Sequence, residues 1–136
     1  MVVNIKKQGI SSNLEADCPL STSVGHFVYV TGPEVGGRLQ VATVDVTNKS
    51  TMPAFGVVVR KDTPNRCVVM VRGEWSIPGG ASPHSRYFIN TSGGASVSPP
   101  STSTGGIVVV QAVGYGLSTE KVRLTLETIP IVKVDK

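Results

Sequence analysis

The chain has 136 residues, which suits a single domain, and only 16% of them are charged, which argues against a disordered chain. Its 23 Val, 7 Ile and 12 Thr far outnumber its 6 Leu and 6 Ala, so the composition predicts an all-β fold. The net charge of +4 is scattered, which excludes a polybasic arm, and we expect no direct nucleic-acid partner. No apolar run approaches the length of a membrane span, so we expect no membrane partner.

The first twenty residues differ from the rest of the chain, because their apolar residues are sparse and follow no sustained period. We therefore predict an extended N-terminal arm over residues 1–20 and a single β domain over residues 21–136. A short β-prone run followed by two lysines can add to the exposed sheet edge of a neighbouring chain. An unstructured tag and an edge strand of the chain's own barrel are the alternatives. The predicted interface residues of this arm are Val2, Val3, Ile5, Lys6 and Lys7.

Short apolar runs closed by turn residues begin at Gly25 and predict a series of β-strands. The segment KDTPN between two of these runs predicts a hairpin with a loop longer than two residues. A phase slip between Val41 and Val44 predicts a bulge. The predicted strands are HFVYVTG (26–32), RLQVATVDV (38–46), AFGVVVR (54–60), RCVVMVR (66–72), RYFIN (86–90), IVVVQAVGYGL (107–117) and KVRLTLETI (121–129).

Two halves of the chain repeat one pattern of strand, polar loop and glycine-containing strand. Gly56 follows Tyr29 by 27 residues, and Gly114 follows Phe88 by 26 residues. This spacing predicts an internal duplication of a strand–loop–strand unit, in which two copies build one small barrel or sandwich. Because glycine in a strand permits a sharp bend or a close backbone approach, we predict that Gly56, Gly114 and Gly116 are structural corner positions.

No sequence motif of a hydrolase, nucleotide-binding loop or metal site is found, so we expect no enzymatic activity, no catalytic residues, no cofactor and no metal. The residue types that such chemistry would use are His26, His84 and Asp45, and Asp45 is expected to face solvent. Cys18 and Cys67 are expected to be two buried small side chains, although a disulfide between them stays open.

Two further features have more than one interpretation. Asn48-Lys49-Ser50 and Asn90-Thr91-Ser92 match the glycosylation sequon, but no secretion signal supports its use. Trp75, the only tryptophan, is expected either to fill the core or to anchor an interface, and we include it among the predicted interface residues.

The phrases "VGHFVYVTG", "GGRLQVATVD", "MPAFGVVVR" and "RYFINTSGGASVSPPSTSTGGIVVVQAVGYGL" occur in this order between residues 24 and 117. In this order they resemble small β-rich structural proteins of tailed bacteriophages. The resemblance implies a head decoration (cement) protein that is made in the bacterial cytoplasm and resides on the capsid surface of the virion. It would bind the major capsid protein on the outside of the head, stabilise contacts between its subunits, and form a homo-oligomer, with a trimer favoured.

Two other functions stay open at this point. A receptor- or carbohydrate-binding fibre module would use the loops around Trp75 and Tyr87. A small nucleic-acid-binding barrel would bind DNA or RNA with steep salt dependence.

Overall fold

The computed structural model describes residues 12–101, 106–126 and 131–134, and within them it confirms the all-β prediction. One 3-10 turn, Lys49–Thr51, is the only helical element of this part of the chain. The strands are β1 (Ser12–Asp17), β2 (Phe27–Val35), β3 (Arg38–Thr43), β4 (Gly56–Thr63), β5 (Arg66–Ser76), β6 (Arg86–Ile89), β7 (Ala95–Ser96), β8 (Ile107–Val110), β9 (Ala112–Gly116), β10 (Lys121–Leu124) and β11 (Ile131–Val134).

Five strands close into a barrel in the order β1-β3-β2-β4-β5, because β5 also pairs with β1. Ala16 of β1 is central to this closure. It pairs with Leu39 of β3 in a parallel ladder and with Cys67 of β5 in an antiparallel ladder. Closure gives hydrogen-bond partners to the backbone N–H and C=O groups that would be unpaired at the edges of an open sheet.

The predicted boundary of the N-terminal arm at residue 20 is therefore wrong. Residues 12–17 form β1, a strand held on both sides, and not an arm that leaves the domain. The apolar pattern that marks this strand is short, since Ala16 and Cys18 point into the barrel while Leu14 and its two neighbours are exposed. Residues 1–11 lie outside the described residues, and with them all five of the predicted interface residues of the arm.

The strand order contains the predicted duplication. The large sheet has the order β1-β3-β2-β4-β5-β10-β9-β6-β7. The first half contributes β3-β2-β4-β5 and the second half contributes β7-β6-β9-β10, the same arrangement built twice. The two units meet where β5 and β10 pair antiparallel, with Trp75 opposite Val122. β5 belongs to both parts, because residues 66–72 pair within the barrel and residues 73–76 pair with β10.

Three sequence-predicted details differ from the structure. The hairpin β4–β5 is present, but Thr63 pairs with Arg66, so its turn has two residues and not a longer loop. The bulge expected between Val41 and Val44 is absent because β3 ends before Val44, and the β2–β3 register shifts lie on β2 instead. The predicted strand over residues 107–117 is divided at Gln111 into β8 and β9, which belong to different sheets.

Apolar side chains form two buried clusters. The barrel core lies inside the five-strand ring and consists of Ala16, Cys18, Val28, Val41, Val58, Cys67 and Val69. The junction core is larger and takes residues from both halves: Phe27, Val44, Val46, Ala54, Val57, Met70, Trp75, Tyr87, Ile89, Val108, Val110, Val113, Val122 and Leu124. The two halves therefore share one core, which holds them in a single domain.

Candidate functional site

The residue types that catalysis would use each have a local structural contact. The Asp45 carboxylate accepts hydrogen bonds from the hydroxyl and the backbone N–H of Thr47, at 2.6 and 2.9 Å, and these bonds lower the pKa of Asp45. The backbone N–H of His84 donates to the carbonyl of Gly116 at 2.9 Å, and His84 has a φ of 67°. These contacts give both residues a role in turn structure.

His26 lies at the rim of a cleft of about 210 Å³ that also contains Trp75 and Asn90. Its Nδ1 accepts a hydrogen bond from the backbone N–H of Ser23 at 3.1 Å and lies 3.1 Å from the Thr43 hydroxyl. Partial burial lowers the pKa of His26, and the nearby positive charge of Lys61 adds to the effect. The site therefore favours the neutral imidazole.

The two matches to the glycosylation sequon are turn motifs. Asn48 Oδ1 accepts from the backbone N–H of Ser50 at 3.0 Å and from its hydroxyl at 2.7 Å. Asn90 Oδ1 makes the same pair of bonds to Ser92, at 2.9 and 2.7 Å. In both turns the Asn side chain accepts hydrogen bonds from the Ser two residues later. This structural role accounts for the Asn-X-Ser spacing without glycosylation.

The corner glycines occupy positions of close approach, but two of the three lie outside the barrel ring. Gly56 begins β4, whereas Gly114 and Gly116 lie in β9 of the second unit. A Cβ at Gly56 would lie 2.5 Å from a methyl of Val69, and one at Gly114 or Gly116 would overlap a backbone carbonyl. None of these three has a positive φ, so the glycines are needed for space and not for a left-handed turn.

The prediction that Trp75 anchors an interface is wrong, because only 3% of this side chain is exposed. Its ring packs edge-on against Phe27, with the centroids 5.6 Å apart and the planes at 89°. Tyr87 is equally buried, and its hydroxyl accepts from the backbone N–H of Ser82 at 2.8 Å. These two aromatic residues, whose surrounding loops are the predicted site of a carbohydrate-binding module, therefore belong to the junction core.

An exposed row of side chains crosses the second unit where sequence reasoning found no site. Tyr115 of β9, with 41% of its surface exposed, pairs with Arg86 on one side and Arg123 on the other. Arg123 in turn pairs with Glu74, and their side chains approach to 3.5 Å. We call these four residues the tyrosine row. Their alignment depends on strand register, which no local motif reveals.

An apolar groove lies where the barrel meets β10. It has a volume of about 600 Å³, and its apolar lining includes Phe55, Val71 and Leu126. Arg72 also lines this groove and pairs with Ser12, the first residue of β1. Ser12, the first residue that the structure describes, therefore lies beside this junction groove.

Within residues 12–101, 106–126 and 131–134, no group of three or more His, Cys, Asp or Glu side chains could hold a metal ion. That same part of the chain contains no helix with the length and apolar character needed to cross a bilayer. No protein-family model matches the chain, and a search of curated proteins finds no significant match.

Proposed function

We propose that this chain is a structural virion protein that binds the outside of a phage head and stabilises contacts between major capsid protein subunits. The order of phrases between residues 24 and 117 supports the family, and the fold supplies a mechanical reason. A decoration protein must bridge neighbouring subunits without deforming, and a closed barrel fused to a second sheet through one long strand resists deformation. The proposed localisation is the capsid surface of the virion.

The anchoring of β1 is the observation that carries this proposal. β1 pairs with β5 along its whole length and with β3 at its C-terminal end. A force applied through the N-terminal segment would pull β1 along its axis, so all these ladder hydrogen bonds would share the load in shear. The segment contains the β-prone run of Val2, Val3 and Ile5, which can add to an exposed sheet edge of a capsid subunit.

The exposed charges favour a protein partner over a nucleic acid, because several arginines are already paired with carboxylates. Arg38 Nε lies 2.8 Å from an oxygen of Asp17, and Arg60 Nε lies 2.8 Å from an oxygen of Asp62. Such pairing reduces the positive field that non-specific phosphate binding requires.

The test is binding to empty shells assembled from the major capsid protein encoded in the same genome. We expect saturable binding and a higher temperature of shell disruption with the full chain. A variant lacking residues 1–11 should keep its circular dichroism and its Tm but bind the shells with a Kd at least about tenfold higher, a free-energy difference of about 1.4 kcal/mol. A variant in which a Gly-Ser sequence of equal length replaces residues 1–11 separates the role of sequence from that of length. Absence of binding by the full chain would exclude the proposed function.

We also propose a homotrimer, which the resemblance favours. Light scattering on the isolated chain, whose mass is 14.2 kDa, measures this directly. A mass of one chain at micromolar concentration would contradict a trimer that forms before shell binding.

A further inference from the structure

Two buried cysteines lie close together at the end of the β1–β5 ladder. Ala16 pairs with Cys67, and the backbone N–H of Cys18 donates to the carbonyl of Asn65 at 2.9 Å, so Cys18 and Cys67 are diagonal neighbours. Both side chains belong to the barrel core, on the same face of the ladder as Ala16. Diagonal neighbours on one face of an antiparallel ladder lie about 7–8 Å apart, so a bond between the two thiols requires the strand ends to move slightly closer.

We propose that Cys18 and Cys67 form a disulfide site that reacts with a low-molecular-weight disulfide, such as oxidised glutathione, and locks β1 into the barrel. Both cysteines are free thiols in the structure, which is therefore the reduced form. The site is independent of the proposed function, since it concerns only the closure of the barrel.

The surroundings of the two thiols set the order in which they react. Cys18 lines a surface cavity of about 320 Å³ together with Gln40 and Asn65, whereas Cys67 does not line it. Since only Cys18 borders this cavity and Cys67 is the more deeply buried of the two, we expect a small disulfide to react with Cys18 first. Burial, together with the neighbouring Cys18 thiol, raises the pKa of Cys67 to about 12, so its thiolate is scarce at neutral pH.

The reaction has two exchange steps. The thiolate of Cys18 attacks one sulfur of oxidised glutathione, which forms a mixed disulfide and releases one glutathione thiolate. Cys67 then loses its proton to solvent and attacks the sulfur of Cys18, which forms the protein disulfide and releases the second glutathione. The two protein thiols are oxidised, and the glutathione disulfide is reduced to two thiols.

The cross-link would act on the strand that closes the barrel. It joins β1 to β5 and closes a loop that contains β2, β3 and β4, so it restricts the unfolded chain strongly. In a reducing cytoplasm the thiols stay free, and release into an oxidising medium favours the bond. The barrel would then be strengthened after the protein has left the compartment in which it is made.

The experiment incubates the folded full chain with excess oxidised glutathione and follows thiol titration, intact mass and Tm. We expect loss of both thiols, a mass lower by two hydrogen atoms, and a Tm higher by about 10 °C that reductant reverses. Closure of the mixed disulfide should speed up about tenfold per pH unit between about pH 7 and 9, because the thiolate fraction of Cys67 rises by that factor.

Two variants serve as matched controls. Cys67→Ala should retain one glutathione on Cys18 with no rise in Tm, and Cys18→Ala should leave the folded protein unmodified. Refolding the full chain from urea in the same buffer gives the oxidant access to both thiols. If both remain free after refolding, the site does not exist, and if the disulfide forms without raising the Tm, its locking role is wrong.

Discussion

Gly56 and Gly114 occupy equivalent positions in the two halves of the molecule and have the same structural role. Gly56 pairs with Val28 of β2, and Gly114 pairs with Tyr87 of β6, the strand that corresponds to β2 in the second unit. At each position the neighbouring strand leaves no room for a side chain. The sequence predicted these positions correctly as special, because glycine inside an apolar strand has few other physical explanations.

Substitution of either glycine by alanine should destabilise the protein. A methyl group at Gly56 meets a side chain and a carbonyl of β5, and at Gly114 it overlaps a carbonyl of β10, so the strands must separate. We expect a loss of about 2–4 kcal/mol in the free energy of unfolding for each variant, measured by urea denaturation. Gly32→Ala is the matched control, because nothing lies within 4 Å of a Cβ built there. Equal stability of all three variants would contradict the close-approach assignment.

Gln111 is a second residue whose role depends on the backbone. It is fully buried, its Oε1 accepts from the N–H of Ala54 at 2.8 Å, and its Nε2 donates to the carbonyl of Ala54 at 3.1 Å. Gln111→Met keeps the volume but leaves both backbone groups of Ala54 without these bonds. We expect a loss of about 2–4 kcal/mol in the free energy of unfolding. A loss below about 0.5 kcal/mol would show that the amide is not needed.

At the scale of elements, the sequence predicted most strands but not which strands are continuous. The run IVVVQAVGYGL is apolar almost throughout, so its division into β8 and β9 at Gln111 could not be predicted from hydrophobic pattern. β1 was missed for the opposite reason, since its burial rests on Ala16 and Cys18 alone. The tyrosine row was missed because its members are far apart in sequence and meet only through register.

The structural importance of β1 gives a prediction by truncation. Removal of residues 1–11 leaves β1 intact, whereas removal of residues 1–17 opens the ring between β3 and β5 and exposes the barrel core. We expect the first variant to keep the Tm of the full chain and the second to aggregate or unfold at room temperature. A folded, monodisperse protein without residues 1–17 would contradict a closed barrel as the source of stability.

Titration of the His26 side chain should make the free energy of unfolding depend on pH. Its pKa lies below the ordinary value of 6.5 because of burial and the charge of Lys61, so below pH 6.5 the unfolded chain binds more protons at this site than the folded one. The contribution of neutral His26 to the free energy of unfolding is complete above about pH 6.5. It is lost as the pH falls through the lower pKa that His26 has in the folded protein. Urea denaturation at several pH values between about 7 and 5 measures this loss.

His26→Gln should abolish this loss of stability between about pH 7 and 5. The control is His84→Asn, which replaces the other histidine at a position with positive φ. Asp17 and Asp45 affect the free energy of unfolding in a different, more acidic pH range. Their lowered pKa values make their contributions disappear below about pH 3.8, so they do not obscure the effect of His26. An unchanged pH profile in His26→Gln would assign the decline to another group.

At the scale of the whole molecule, two copies of one strand arrangement have merged into a single folding unit. The barrel core belongs to the first half alone, but the junction core combines Phe27 and Trp75 with Tyr87, Ile89 and Val122 of the second half. β5 reinforces this union, because it runs from the ring into the second unit. A duplication recognised from spacing therefore predicts the repeated topology, but it does not predict that the interface between the copies becomes the main core.

We expect the chain to unfold in one cooperative transition and not as two independent halves. Loss of either half exposes the junction core, so the remaining half would lose the apolar contacts that stabilise it. Far-UV circular dichroism and Trp75 fluorescence should give coincident urea curves. Native-state hydrogen exchange should give about the same free energy of opening for Val58 in the barrel core and Val113 in the junction core. Two separate transitions, or protection of Val58 that exceeds that of Val113 by more than about 2 kcal/mol, would mean that the barrel survives without its second unit, and the long strand β5 would then be a linker between two domains.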